Sequence, residues 1–327
     1  MSSQLIDPFD RKIEYLRLSV VDKCDLRCFY CLPKGYREFE REDNQLTFDE
    51  IERVVGVFGG LGVSRIRLTG GEPLLRKGLP ELAGRLSALD GIEDLSLSTN
   101  AVRLARQADD LYQAGVSRIN ASLDTLQVKR FKDICGGRLD KVMNGLMTAQ
   151  AAGFAPIKIN MVVMQGVNHD EVSDMVEFCI EHDFTLRFIE TMPMGDTGRD
   201  ASKLYVNLQD IKRQLAEQFE LIPGVMSGGG PARYVRVVGT DLRIGFITPM
   251  SQHFCKTCNR VRLSADGTLY LCLGQDDKLE LRPLLRKGID DSELRGVIID
   301  AIGRKPERHE FNDNPRQLVR FMSLTGG

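Results

Sequence analysis

"YLRLSVVDKCDLRCFYC", Tyr15–Cys31, runs a strand directly into a loop of three cysteines. Leu16, Leu18 and Val20 alternate with Arg17 and Ser19. Side chains on a strand point to opposite faces with period two, so one face is apolar and the other carries a guanidinium. The pattern recurs along the chain. Arg65–Thr69 sets Arg67 and Thr69 around Leu68, and Asp94–Thr99 sets Ser96 and Ser98 beside Leu95 and Leu97. Ser117–Leu123 alternates Asn120 and Ser122 with Ile119, Ala121 and Leu123. Ile157–Val163 places Lys158 and Asn160 among Ile157, Ile159 and Met161, and a sixth strand falls at Leu186–Ile189.

Amphipathic helical patterns separate these strands. In "LTFDEIERVVGVFGGLG" (46–62), Thr47 and Glu50 suit a capping box. Phe48, Ile51, Val55, Phe58 and Leu61 then recur at helical spacing. Strand followed by helix, six times over, predicts a parallel sheet closed into a barrel or part-barrel. Buried parallel strands ordinarily read as continuous apolar runs. Alternation here therefore predicts a barrel whose lumen is a polar cavity. An antiparallel sheet with one wet face is the alternative, and the intervening helices disfavour it. Arg17, Arg67 and Lys158 would place positive charge in the lumen, suited to a phosphorylated ligand.

The 327 residues are 42% hydrophobic and 28% charged, with a formal net charge of −2. That is the composition of a globular protein, and it disfavours whole-molecule attraction to nucleic acid or to an anionic membrane. The N-terminus has no charged-then-apolar signal pattern, so a cytoplasmic location is expected. There, eight cysteines read as metal ligands before disulfides. After "GVMSGGGPAR" (224–233), read as a linker or flexible loop, short strands at Tyr234–Val238 and Leu242–Ile247 precede the hairpin "VRLSADGTLYLC", turning at Asp266–Gly267. The remainder reads as helical up to the tail "SLTGG". This divides the chain into residues 1–230 and 231–327.

Cys24-x3-Cys28-x2-Cys31 lies just past the first strand, at the carboxyl end where barrel sites form. Three thiolates this close can grip three irons of a cubane and leave the fourth open. A zinc loop completed by a distant ligand is the alternative. The spacing, with Tyr30 just before the last cysteine, resembles that of radical S-adenosylmethionine enzymes, in which the open iron chelates the cosubstrate. "LTGGEPLL" (68–75), one strand later, is similar to the Gly-Gly-Glu-Pro motif of those enzymes. The resemblance implies that Tyr30, Gly71, Ser122 and Met192 line an S-adenosylmethionine site.

Cys255-x2-Cys258-x13-Cys272 is a second set of three, and from these residues alone a zinc site completed by His253 stays open. The longer strings are more specific. "FCKTCNRVRLSADGTLYLCL" (254–273), "RFIETMPMG" (187–195) and the terminal Gly326–Gly327 resemble the GTP 3′,8-cyclases of molybdenum cofactor biosynthesis, over essentially the whole chain. That resemblance implies a partial (β/α)6 TIM-type barrel of the radical type with a C-terminal α+β cluster-binding region. It implies two [4Fe-4S] clusters, S-adenosylmethionine as cosubstrate, and GTP contacts from Arg17, Arg67, Ser98, Lys158, Arg260, Val261 and Arg262. A tail ending in Gly326 and Gly327 would enter the active site. Implied partners are a flavodoxin- or ferredoxin-like electron donor and, downstream, cyclic pyranopterin monophosphate synthase. Neither nucleic acid nor a membrane is implied, and the chain would act as a monomer or homodimer. The family more often has Thr-Thr-Asn-Gly where Ser98-Thr99-Asn100-Ala101 stands, which keeps a hydroxyl at the first position. A peptide-modifying two-cluster radical enzyme and a zinc-dependent nucleotide-binding module are the alternatives. Cys135 and Cys179 stand alone and read as core residues.

Overall fold

A computed structural model describes residues 4–226, 228–313 and 319–326. The first six strands are β1 (Tyr15–Ser19), β2 (Arg65–Thr69), β3 (Asp94–Thr99), β4 (Arg118–Ser122), β5 (Ile157–Val162) and β6 (Thr185–Ile189). Helices α1 (Phe48–Gly60), α2 (Leu79–Ser87), α3 (Ala108–Gln113), α4 (Val128–Cys135), α5 (Leu139–Ala151) and α6 (Val172–Glu181) fill the connections. The capping box at Thr47 forms as expected: its hydroxyl accepts from the Glu50 N–H, and the Glu50 carboxylate accepts from the Thr47 N–H.

Six further strands follow: β7 (Leu221–Gly224), β8 (Arg233–Val237), β9 (Arg243–Ile247), β10 (Arg260–Leu263), β11 (Thr268–Tyr270) and β12 (Lys278–Glu280). One sheet carries all twelve in the order β12-β11-β10-β1-β2-β3-β4-β5-β6-β9-β8-β7. The six predicted strands sit side by side and parallel. Beyond that expectation, β10 adds parallel outside β1 and β9 adds parallel outside β6, extending the parallel run to eight. The C-terminal cysteine segment is therefore continuous with the barrel wall.

Apolar side chains of the strands, such as Leu16, Leu18, Leu68, Leu97 and Ile159, join Val54, Phe58, Leu82 and Leu146 of the helices in one core. The opposite face is polar, as the alternation predicts. Two expectations need correction. Residues 224–233 are no simple linker: Gly224 ends β7 and pairs with Tyr234 of β8, while Gly228–Pro231 line a cavity. The C-terminal remainder is also less helical than expected, because β12 precedes the helices Arg282–Arg286 and Asp291–Ile302.

The N-terminus clamps the second cysteine loop. Arg11, buried, donates through Nη1 to the carbonyls of Cys255 (2.9 Å) and Glu307 (2.6 Å), and through Nη2 to that of Pro306 (2.7 Å). Its Nε meets Asp7 Oδ2 at 2.5 Å. Arg11→Ala takes the cation from buried Asp7 and a side-chain donor from three carbonyls, an expected loss of about 3–5 kcal/mol. Urea denaturation should report it as a lower midpoint.

Candidate active site

The first cysteine loop is held from two sides. On one, the N–H groups of Gly71 and Glu72 donate to the carbonyls of Val21 and Lys23, both at 2.8 Å. A side chain at Gly70 would overlap the Val21 carbonyl, and one at Gly71 the carbonyls of Asp22 and Lys23, so only glycine permits this approach. Glu72 is fully buried and accepts from the Leu74 N–H (3.0 Å), the Thr99 hydroxyl (2.7 Å) and the Asn100 N–H (2.7 Å). Burial raises its carboxyl to about 7 against those bonds. Asn100 Nδ2 in turn bonds Asp25 Oδ1 at 2.8 Å and reaches Cys24 Sγ at 3.8 Å. On the other side, the N–H groups of Arg27 and Phe29 donate to the carbonyls of Cys135 (2.9 Å) and Ile134 (3.1 Å) at the end of α4.

Cys24, Cys28 and Cys31 line a cavity at the carboxyl ends of the strands, and Tyr30, Gly71, Ser122 and Met192 line the same cavity. The Tyr30 hydroxyl donates to Asp124 Oδ2 at 2.6 Å, and Asp124 Oδ1 accepts from the Val162 N–H at 2.9 Å. Burial pushes Asp124 up to about 6. Burial also pushes Cys24 up to about 12 and Cys31 to about 11, so metal binding must displace their protons. Asn160 Oδ1 and Thr191 Oγ1 are buried on this wall without a partner among the described residues, which fits a site built for a polar ligand.

A second cavity fills the lumen. The register aligns Arg262, Arg17, Arg67 and Ser96 in one row across β10, β1, β2 and β3. Arg17, Arg67, Ser98, Lys158, Arg260, Val261 and Arg262 all line this cavity, as do Cys255, Cys258 and Cys272. Val261, between the two arginines, also belongs to the apolar core. Arg17 Nε and Nη2, Arg67 Nε and Arg260 Nε are buried and unpartnered. Burial, then the charges of Arg187, Arg118 and Arg67, bring Lys158 down to about 7; burial brings Arg67 to about 10. Burial opposes ionisation of Cys258, but Lys305 and Arg260 outweigh it and lower the thiol. His253 Nδ1 lies 3.1 Å from His309 Nε2.

Ser98, Asn160, Ile189 and Met192 line both cavities, so the two sites meet at those four side chains. The tail lies against the same junction. Arg262 donates to the carbonyls of Thr325 (3.2 Å) and Gly326 (2.5 Å), and Met322 and Ser323 line the first cavity. Gly326 has φ +71, and a Cβ there would collide with Thr69. Gly327 lies outside the described residues.

Three contributors were missed from sequence. Arg187 bonds Asn120 Oδ1 and the Tyr234 hydroxyl, both at 2.8 Å, inside the lumen. Its alternation with Leu186 and Phe188 was the available signal. Glu190, fully buried, accepts from the Tyr205 hydroxyl (3.0 Å), the Met250 N–H (2.8 Å) and the Ser251 hydroxyl (2.5 Å), tying the "RFIETMPMG" loop to the segment before Cys255. Cys135 and Cys179 are both core as expected, and Cys135 also lines the first cavity.

Three thiols at each loop, glycines pressed onto the first, and unpartnered donors in the lumen suit iron–sulfur clusters with a nucleotide between them. This is the architecture and donor set of a radical S-adenosylmethionine enzyme, and residues 18–179 match the Radical SAM superfamily while 184–311 match Molybdenum Cofactor Synthesis C. The fold is similar to that of SuiB from Streptococcus suis bound to S-adenosylmethionine (TM-score 0.63, 19% identity, 89% of this chain and 69% of that one). Over 99% of both chains it is 46% identical to the GTP 3′,8-cyclase of Hydrogenovibrio crunogenus. It is 47% identical to GTP 3′,8-cyclase 1 of Pseudomonas aeruginosa, over 98% of this chain and 99% of that one. The chain belongs to the GTP 3′,8-cyclase family.

Gly326→Ala must displace either Thr69 or the tail, at about 1–3 kcal/mol. Cyclisation is expected to fall about tenfold or more, with unfolding barely changed, as product analysis beside a thermal melt would reveal.

Proposed function

We propose that the first cavity binds S-adenosylmethionine at a cluster held by Cys24, Cys28 and Cys31, and the lumen binds GTP at a cluster held by Cys255, Cys258 and Cys272. The enzyme is a radical lyase converting GTP to (8S)-3′,8-cyclo-7,8-dihydroguanosine 5′-triphosphate, the first step of molybdenum cofactor biosynthesis, and it uses two [4Fe-4S] clusters and S-adenosylmethionine. When bound, the first cluster and its cosubstrate supply a carbon radical able to take hydrogen from C3′ of the GTP ribose, so that C3′ can join C8 of guanine.

The observation that carries the residue assignments is the single junction between the cavities. Cosubstrate held beside Tyr30, Gly71, Ser122 and Met192 would face a ribose in the lumen across Ser98, Asn160, Ile189 and Met192. Ile189 and Met192 there keep water from the reacting carbons, and alignment supplies the rate. Arg17, Arg67, Lys158 and Arg260 offer charge to the triphosphate and base, which the buried unpaired donors support. Val261 contributes cavity wall, while Arg262 holds the tail carbonyls and borders the nucleotide. Gly326 brings a side-chain-free backbone against Thr69 of the first cavity, and the Gly326–Gly327 end of the tail is assigned to cyclisation.

We place residues 1–230 with the first cluster and 231–327 with the second. All eight cysteines are free, which supports a reducing cytoplasmic setting. Among the described residues no helix is long and apolar enough to cross a membrane. A flavodoxin- or ferredoxin-like protein is the expected reductant, and a cyclic pyranopterin monophosphate synthase the expected consumer of product.

Anaerobic incubation with GTP, S-adenosylmethionine and reductant tests the assignments. Cys24→Ser, Cys28→Ser and Cys31→Ser should each abolish 5′-deoxyadenosine formation. Cys255→Ser, Cys258→Ser and Cys272→Ser should lose cyclised product but keep slow cosubstrate cleavage, and zinc in place of a second cluster would contradict the lumen assignment. Lys158 adds a pH test. Its ammonium is half lost near pH 7 without ligand, and a bound triphosphate favours the charged form. GTP affinity should therefore fall between pH 7 and 9 by up to about tenfold per unit. Lys158→Arg, permanently charged, should flatten that slope in isothermal titration.

A further inference from the structure

Lys305 is a lumen cation that the triphosphate assignment leaves out. It follows the helix Asp291–Ile302, its N–H donating to the Ile302 carbonyl at 3.0 Å, and it is 3% exposed. It lines the lumen together with Cys255, Cys258 and Cys272. Among the described residues Nζ makes one hydrogen bond, to the carbonyl of Leu271, the residue before Cys272, and it has no ion pair. The backbone that carries it is tied to the same cysteine segment at both ends. Arg11 joins the carbonyls of Pro306 and Glu307 to that of Cys255. Past Cys272, Gln275 Nε2 donates to the Arg308 carbonyl at 2.8 Å, and the Glu310 N–H to the Gly274 carbonyl at 3.4 Å. A buried ammonium with one neutral acceptor is costly unless an anion completes its surroundings. Arg17, Arg67 and Lys158 stand on barrel strands, whereas Lys305 is anchored beside Cys272, so the anion nearest to it is whatever the three thiolates hold.

We infer that Lys305 is the counter-ion of the second cluster and raises its reduction potential. This rests on the reading of Cys255, Cys258 and Cys272 as cluster ligands. An iron–sulfur core held by thiolates is anionic and becomes more so on taking an electron, so a cation beside it favours the reduced form. Net charge and hydrogen bonds at the sulfurs are the levers a protein has on such a potential. The same ammonium offsets the repulsion between an anionic cluster and the polyphosphate that shares its lumen. Lys305 thereby differs in role from the lumen arginines, whose charge is offered to the nucleotide.

The test uses full-length enzyme reconstituted anaerobically. Iron, sulfide and zinc analysis of wild type beside Cys272→Ser examines the ligand reading first. Zinc in the wild type, or an unchanged iron content in Cys272→Ser, overturns that reading before Lys305 is touched. Redox titration followed by electron paramagnetic resonance then gives a midpoint for each cluster, the second being the signal that Cys272→Ser loses. Lys305→Met keeps the length of the side chain but not its charge. It should disfavour the reduced second cluster about tenfold, a fall of about 59 mV for one electron, and leave the first midpoint in place. Lys305→Arg should keep most of the wild-type value. An unchanged second midpoint in Lys305→Met overturns the proposal, and so does an equal shift at both clusters. Should Lys305→Met fail to take up iron, wild type decides. With isotopic label at the lysine side-chain nitrogens, electron–nuclear double resonance on the reduced second cluster should show a nitrogen coupling that Lys305→Arg removes. No such coupling in wild type, or one that survives in Lys305→Arg, overturns the proposal.

Discussion

Cations buried in the lumen with no ion pair among the described residues are the constraint on which the rest of this structure depends. Arg17, Arg67, Lys158, Arg187, Arg260 and Arg262 share one cavity. Taking so many like charges from water is costly, and the depressed Lys158 and Arg67 record that cost. The nearest carboxylates are engaged at the amino ends of the strands, where Asp94 pairs with Arg118 and Glu14 with Arg65 at 3.5 Å. A polyanionic ligand is what relieves such an arrangement, so stability is exchanged for a preformed binding field.

That arrangement persists because the buried carboxylates are kept apart from the cations. Glu72, Asp124 and Glu190 are each satisfied by hydroxyls and backbone N–H groups. Each holds a loop: Glu72 the glycine turn against the first cysteines, Asp124 the Tyr30 ring, and Glu190 the passage toward Cys255. Had any of them turned inward to a lumen arginine, the loop would lose its anchor and the ligand its partner. Segregation of the two charge types thus lets one small volume be both a rigid frame and an open electrostatic site.

Much of this was legible from residue order because it depends on local periodicity. Arg17, Arg67 and Lys158 were found by alternation alone, before any resemblance, since a strand's facing rule needs no knowledge of its neighbours. Arg187 obeys the same rule in β6 and was overlooked. What period and spacing cannot reveal is which distant segments meet. Glu190 reads as one more acid in a loop; its partners Tyr205, Met250 and Ser251 are fixed only by the fold. Cys135 reads as an isolated core thiol for the same reason: its place at the first cavity exists only once α4 docks on the cysteine loop. The glycines at 228–230 suggested slack chain because composition does not distinguish a flexible linker from a backbone pressed against a cavity.

The parallel addition of β10 beside β1 is the step that makes two cysteine sites into one active site. A strand arriving from some 240 residues away lands in register with Arg17 opposite Arg262, which brings Cys258 to the start of a barrel strand and Cys24 to the loop beyond its neighbour's end. The two cysteine loops therefore lie at opposite ends of adjacent strands, and the lumen between them is about one strand long. A four- or five-residue strand spans roughly 13–17 Å, a length a nucleotide can bridge. Arg262, on that strand, also grips the tail at Thr325 and Gly326. Register, ligand reach and tail seating are thus set by one pairing, and a one-residue slip of β10 would turn Arg260 and Arg262 into the apolar core.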